Sequence, residues 1–207
     1  KSLAAVGIIA LVVVFQPEIR RALEYFGTRN LIRGRRMTSN SAQRIIKEYI
    51  AAILDMSKTR TGALIIIERN VALNDRIDTG TIIDADISAQ LIGNIFYKGS
   101  PLHDGALIVR GDRLYAAGCV LPLTENTSLD KALGTRHRAA IGITENSDSI
   151  ALIASEETGV ISMAEEGKIT RYLDAKYLEK VLSDVYSDEE SKRSFFGRFT
   201  GGNGDEY

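Results

Sequence analysis

"GALIVRGDRLYAAGCV", Gly105–Val120, reads as two strands folded back on each other. Gly105 to Arg110 and Leu114 to Val120 are mostly apolar runs, and Gly111-Asp112 between them is a pair that suits a tight hairpin. A second hairpin follows downstream, Ser149 to Ser155 with Gly159 to Ala164, and Glu166-Gly167 leads into a third strand over Lys168 to Leu173. Upstream, "ALIIIE" (Ala63–Glu68) is the short, branched run of a strand buried on both faces. Helices are expected between these strands. Ile45, Ile46, Tyr49, Ile50, Ile53 and Leu54 recur at helical spacing behind the capping residues Thr38 to Ser41, which predicts a helix to about Ser57. Asp86-Ile87-Ser88 is read as the cap of a helix through about Tyr97. Thr135 is read as the N-cap of one through about Ile143, and Asp174 to Tyr186 as a last amphipathic helix. Helices alternate with strands, but several strands come as hairpins. This predicts an α/β fold with a mixed central β-sheet flanked by helices, not a doubly wound parallel one. No internal repeat is visible.

The chain has 207 residues, with 26 Lys plus Arg against 27 Asp plus Glu. That length gives one domain with a full core and extra segments at its ends. The net charge of -1 argues against nucleic acid as a partner, because such proteins carry a strong basic excess. Cys119 is the single cysteine, so no intrachain disulfide and no cysteine-based metal site is expected, and a reducing compartment fits. The first segment differs from the rest. Leu3 to Phe15 is an unbroken apolar run without the flanks of a signal peptide. As a helix it rises about 20 Å at ~1.5 Å per residue, short of the roughly 30 Å hydrocarbon core. A buried helix would be odd without a polar face, so residues 1–15 are expected to be the end of a partial N-terminal transmembrane helix. Arg20, Arg21, Arg29, Arg33, Arg35 and Arg36 make 16–37 a basic juxtamembrane connector. By the positive-inside rule the remainder faces the cytoplasm at the cell membrane. A catalytic domain over 38–186 and a flexible C-terminal tail over 187–207, rich in Ser, Gly and charge, complete the expected organisation.

No Walker A pattern, strand-linked GxGxxG, HExxH or GxSxG is present. Three stretches carry candidate chemistry. His103-Asp104-Gly105 stands before the first hairpin strand. An ordinary Asp-Gly turn accounts for it. So does a carboxylate facing a cleft, with Gly105 admitting a ligand close to the backbone and His103 binding a metal or phosphate. "LGTRHRAAIG" (Leu133–Gly142) holds the other histidine, His137, between Arg136 and Arg138. Two arginines in a first helical turn oppose the helix dipole by roughly 0.3–1 kcal/mol each, a conflict that an anion at the helix start removes. "SEETG" (Ser155–Gly159) is either a solvated turn or a Ser155 phosphate contact beside a metal-binding glutamate. Asp84 and Asp86 resemble a metal pair, but Asp86 is assigned to a helix cap.

"PLHDGALIV", then "GTRHRAAIG", then "SEETG" together resemble the diadenylate cyclase (DAC) domain of bacteria over about Leu31 to Leu182. Asp104-Gly105-Ala106 matches the family's DGA motif and Arg136-His137-Arg138 its RHR motif. The apolar start resembles the membrane-bound CdaA class. The resemblance implies condensation of two ATP into 3',5'-linked cyclic di-AMP with release of two pyrophosphates, across a face-to-face homodimer. It implies a divalent metal, Mn2+, Mg2+ or Co2+. Asp104 would act on the ribose 3'-hydroxyl, with Gly105, Arg136, His137 and Arg138 completing the catalytic motifs. Gly105, Ala106, Leu121, Thr135, Arg136, Arg138, Ser155 and Glu156 would bind ATP, Leu121 against the adenine. His103 and Glu157 would hold the metal. Val120 stands where family members often have an aromatic, so base stacking there is not implied. A YbbR-domain regulator and phosphoglucosamine mutase are further partners the resemblance suggests. The competing readings are a non-catalytic membrane-tethered nucleotide sensor, against which the intact Asp104 speaks, and an interaction module, against which the paired arginines speak.

Overall fold

The computed structural model describes residues 15–16, 39–126 and 133–186. The expected membrane helix (1–15), connector (16–37) and tail (187–207) lie almost wholly outside them. No described helix is long and apolar enough to cross a membrane. In chain order the elements are α1 (Ser39–Thr59), β1 (Ala63–Glu68), α2 (Asn74–Ile77), β2 (Thr81–Asp86), α3 (Ala89–Phe96), β3 (Ala106–Arg110), β4 (Arg113–Cys119), α4 (Thr135–Glu145), β5 (Ile150–Ala154), β6 (Ile161–Glu165), β7 (Lys168–Arg171) and α5 (175–186).

The strands form one sheet in the order β2-β4-β3-β1-β5-β6-β7. β1 and β3 run parallel, with Ile66 opposite Ile108, and every other pair is antiparallel. The mixed sheet expected from the hairpins is therefore present. Its two faces follow from the period-2 alternation of strand side chains. Ile65, Ile67, Leu107, Val109 and Leu152 join Tyr49, Ile53, Ile92, Phe96, Leu178 and Leu182 of α1, α3 and α5 in one core. Leu64, Ile66, Ala106, Ile108 and Ile153 join Ala140, Ile141 and Ile143 of α4 in the other. Because both faces are covered, all six β1 residues are buried, which is why "ALIIIE" lacks alternation. Truncating Ile66 to Ala would cost about 2–5 kcal/mol by lost transfer energy plus a cavity.

Local signals fix the ends of the helices. Ser88 caps α3 by accepting a hydrogen bond from Leu91 N at 3.3 Å, and Glu48 of α1 accepts from Ala89 N at 2.7 Å. Asp174 caps α5, its carboxylate accepting from Tyr177 N at 2.7 Å. The buried Tyr186 hydroxyl donates to that of Tyr49 at 3.2 Å and closes α5 onto α1.

Three expectations need correction. Asp86 is not the helix cap. It ends β2, and its carboxylate pairs with Arg113 at 2.6 Å, while Asp84 takes the same guanidinium at 2.9 Å. Thr135 is the first residue of α4 rather than its cap; Gly134 occupies the cap with extended backbone and no side-chain hydrogen bond. Finally, α2 and β2 were not anticipated. β2 is an exposed edge strand whose pairing with β4 shifts register between Ile82 and Ala85, and two aspartates hide its apolar pattern.

Candidate functional site

A cleft of about 760 Å³ opens at the amino ends of the parallel strands β1 and β3. Five chain segments meet there. The 103–106 segment enters β3, and Cys119 to Leu123 leave β4. Gly134 to His137 form the first turn of α4, Leu64 comes from β1, and Ile153 to Glu157 leave β5. Its floor is apolar, from Leu64, Ala106, Ala139 and Ile153, and its rim is polar, as suits a small-molecule site.

His103, Asp104, Gly105, Ala106, Leu121, Thr135, Arg136, His137, Ser155, Glu156 and Glu157 all line this one cleft. Residues up to 54 positions apart in sequence are thus brought together by β3, α4 and the turn after β5. Arg138 is the exception: it is not among the lining residues. One helical step of about 100° separates successive side chains, so positions 136 and 138 diverge. The Arg138 Nε–H instead points at the Leu133 carbonyl at 3.4 Å.

The local reasons are specific. Gly105 has φ +114°, and a Cβ there would lie 2.8 Å from the Cys119 carbonyl oxygen. The glycine is therefore demanded by close contact with β4, and not by a ligand alone. Asp104 follows a turn in which His103 N–H donates to the Ser100 carbonyl at 3.2 Å. Among the described residues nothing hydrogen-bonds or ion-pairs with the exposed Asp104 carboxylate. It is free to accept a proton or hydrogen bond from a substrate. The 155–159 turn is tied to α1: Ser57 Oγ donates to the Gly159 carbonyl at 2.6 Å. Ser155 Oγ accepts from Thr158 N at 3.3 Å.

α4 presents its first turn to the cleft with no acidic residue and no side-chain cap. Its leading N–H groups carry positive partial charge, and with His137 N–H already donating to the Gly134 carbonyl at 3.1 Å, those of Thr135 and Arg136 are the ones without an intrahelical partner. Arg136 adds a full charge. Its Nη1 pairs with Glu156 Oε2 at 2.8 Å, its Nη2 donates to the His103 carbonyl at 3.4 Å, and its buried Nε has no partner among the described residues. His137 is buried, and its Nε2 is likewise unpartnered. Burial, reinforced by Arg171 and partly opposed by Glu157, holds the His137 imidazole below its ordinary pKa. Burial pushes the Cys119 thiol up to about 11, which rules it out as a nucleophile near neutral pH.

A divalent metal fits the donors present. The His103 Nδ1 lies 2.5 Å from the Ser100 carbonyl. Donation there fixes the tautomer and leaves the Nε2 lone pair for a metal, the usual arrangement of a ligating histidine. Glu157 is exposed on the same cleft. Among the described residues no group of three or more His, Cys, Asp or Glu gathers, so a metal held by these two side chains would take its other ligands from phosphate oxygens and water.

Leu64, Cys119, Leu123, Ala139 and Ile153 also line the cleft and were not anticipated. Four of them are ordinary core residues, and nothing in the sequence separates a core side chain that ends under a ligand from one that does not. Leu123 and Val120 stand exposed at the mouth.

The model of the DAC family, described as "DisA bacterial checkpoint controller nucleotide-binding", matches residues 50–169. The chain is 44% identical over 177 residues to the cyclic di-AMP synthase CdaA of Bacillus subtilis, covering 85% of this chain and 65% of that protein. It is 41% identical over 199 residues to a diadenylate cyclase of Listeria monocytogenes, covering 95% and 72%. A crystal structure of DacA from Staphylococcus aureus, a double mutant, superposes with a TM-score of 0.70 at 41% identity, covering 72% of this chain and 99% of that one. The chain thus spans about two thirds of the length of these full-length relatives. With Asp104, Gly105 and Ala106 of the DGA motif and Arg136 and His137 of the RHR motif on one cleft, and the family model running from α1 through α4 into β7, this chain belongs to the DAC domain family of diadenylate cyclases.

Proposed function

We propose that this chain condenses two ATP into cyclic di-AMP with release of two pyrophosphates. One observation carries the reading: a carboxylate with no partner among the described residues, Asp104, shares a cleft with the uncapped, arginine-bearing start of α4. The first suits an attacking hydroxyl and the second suits the phosphates it attacks. The relatives named as diadenylate cyclases and cyclic di-AMP synthase support the substrate and product.

The α4 N–H groups, Thr135, Arg136 and Ser155 bind and orient the triphosphate, and the arginine offsets the charge that builds on the leaving pyrophosphate. Leu121 and the apolar floor receive the adenine. Asp104 orients the ribose 3'-hydroxyl and accepts its proton as the oxygen attacks the α-phosphorus of the opposing nucleotide. A second copy of the chain supplies that nucleotide, and a two-fold axis makes the two transfers equivalent. The buried His137 holds the start of α4 against the floor. A divalent cation, Mn2+, Mg2+ or Co2+, held by His103 Nε2 and Glu157 would neutralise phosphate charge. The rest of the reading is a membrane helix ending near residue 15, a basic connector over 16–37, the catalytic domain over 38–186 on the cytoplasmic side, and a tail over 187–207. Membrane attachment draws support from the apolar run Leu3–Phe15.

Incubating the folded protein with ATP and Mn2+, Mg2+ or Co2+ in turn and separating the nucleotides tests this directly. Cyclic di-AMP is the expected product. Bound ATP with no product under any of the three metals would leave a nucleotide sensor instead.

A further inference from the structure

Gly62 lies in the short connection between α1 and β1, outside every motif that points to the site. It is buried and does not have a positive φ, so its backbone would accept an alanine. What it lacks is room. A Cβ at this position would stand 2.5 Å from Arg136 Nη1, 3.0 Å from Arg136 Cζ and 2.7 Å from Glu156 Oε2. The three nearest neighbours are thus the two ends of the Arg136–Glu156 pair, and no backbone atom is among them. The pair rests directly on the bare face of Gly62.

Such crowding is unlike that at Gly105, where a Cβ would meet the backbone of Gly118 and Cys119 and the sheet itself would have to shift. At Gly62 the atoms in the way end two long side chains that can swing aside. The fold loses little when they do, but the arginine leaves its position. That position bridges the cleft: Nη1 reaches Glu156 on the turn after β5, and Nη2 reaches the His103 carbonyl before β3. The guanidinium is thus anchored at both walls, with its floor supplied by a residue that has no side chain.

We propose that Gly62 is a positioning residue for the reaction. Its missing side chain is the space in which Arg136, held by Glu156, lies oriented toward the phosphates. The inference rests on the reading of Arg136 as a phosphate ligand given above. Gly62 itself touches no substrate; it acts through the arginine.

The test is a double-mutant cycle in ATP affinity, measured with the whole chain by calorimetry in EDTA so that no turnover occurs, beside thermal unfolding and steady-state kinetics with Mn2+. Gly62→Ala should weaken ATP binding by no more than Arg136→Ala does and lower kcat/KM by up to about 100-fold, the scale of an ångström-sized misplacement, while the melting temperature stays that of the parent. In an Arg136→Ala background, Gly62→Ala should add nothing to the loss. Unchanged ATP affinity and kcat/KM in Gly62→Ala would overturn the proposal. So would an equal loss with and without Arg136, or a lowered melting temperature that accounts for the loss. If Arg136→Ala alone binds ATP as the parent does, the arginine's role as phosphate ligand fails first. A weakened Arg136→Ala beside an unaffected Gly62→Ala removes the inference and leaves that role standing.

Discussion

Each end of β1 carries an arginine–carboxylate pair, and the two are built differently. At the carboxyl end, Arg110 Nε meets Glu68 Oε1 at 2.6 Å and its Nη2 meets Glu68 Oε2 at 2.9 Å. Asn74 takes a further bond at 2.8 Å, Leu73 N–H donates to Glu68 at 3.0 Å, and the guanidinium stacks 4.4 Å from the Tyr115 ring centroid. The Glu68 side chain is 2% exposed. At the amino end, Arg136 meets Glu156 through one nitrogen, Glu156 is 64% exposed, and Arg136 Nε is buried without a partner among the described residues. The first pair leaves none of its buried nitrogens or oxygens without a partner among the described residues. The second has capacity left over and faces a cleft. A saturated buried pair holds structure, whereas an unsaturated one waits for a ligand.

Substitutions at the two ends should therefore separate activity from stability. The largest effect belongs to Asp104→Asn at the open end. Product formation should fall by roughly 10²-fold or more, the scale of general-base loss, with ATP affinity and melting temperature near those of the parent. Activity retained in that variant would take Asp104 out of the chemistry. At the closed end, Arg110→Ala leaves a buried carboxylate uncompensated and should cost about 3–5 kcal/mol. A melting temperature lower by roughly 10 °C is then expected, with kcat/KM per folded molecule unchanged. If the loss appears in kcat/KM and not in melting, the contrast between the two ends is wrong. Arg136→Ala should do the opposite: ATP affinity weaker by about tenfold, one charge-assisted bond of ~1.4 kcal/mol, and stability within roughly 0.5 kcal/mol of the parent.

The smallest effect sharpens the closed end. Asp148 accepts from Asn70 N at 3.0 Å, Asn70 Nδ2 at 2.6 Å and Val71 N at 2.9 Å, bracing the loop after β1. Burial pushes its carboxyl up, but these bonds, with Arg69, outweigh it and the pKa is lowered. A depressed carboxylate contributes stability that is present above the unfolded value near 3.8 and is lost as pH falls through the folded one. Urea unfolding of the parent and Asp148→Ala across pH 3 to 7 should show curves that differ by on the order of 1 kcal/mol at neutral pH and converge in acid. A gap that persists unchanged at low pH would deny the carboxylate that role.

Much of this architecture was legible in the sequence, and for identifiable reasons. "ALIIIE", the hairpin Gly105–Val120 and the β5–β7 meander announce themselves because branched apolar runs alternate with turn pairs. β2 did not. As an edge strand it needs no apolar face, and its aspartates serve Arg113, so the same letters resembled a cap and a metal pair. In the site, motif residues were found because their charges conflict with local structure, as Arg136 does with the start of α4. Arg138 shares the motif but not the cleft, because helical geometry and not letter order decides direction. Gly62 and the apolar floor were invisible because their role lies in what approaches them from distant segments.

The topology of β1 has a consequence for how the molecule comes into being. Its neighbours are β3 and, across the other edge, β5, with Ala63 opposite Ala154. Both partners are remote in the chain. During synthesis, Ala63 to Glu68 leaves the ribosome as an isoleucine-rich ribbon with neither flank covered, and it waits through most of the domain for its second neighbour. Such long-range closure folds slowly, and an uncovered flank invites pairing with other chains. A nascent chain stopped before Ile150 should aggregate, whereas one released after β7 and α5 should not.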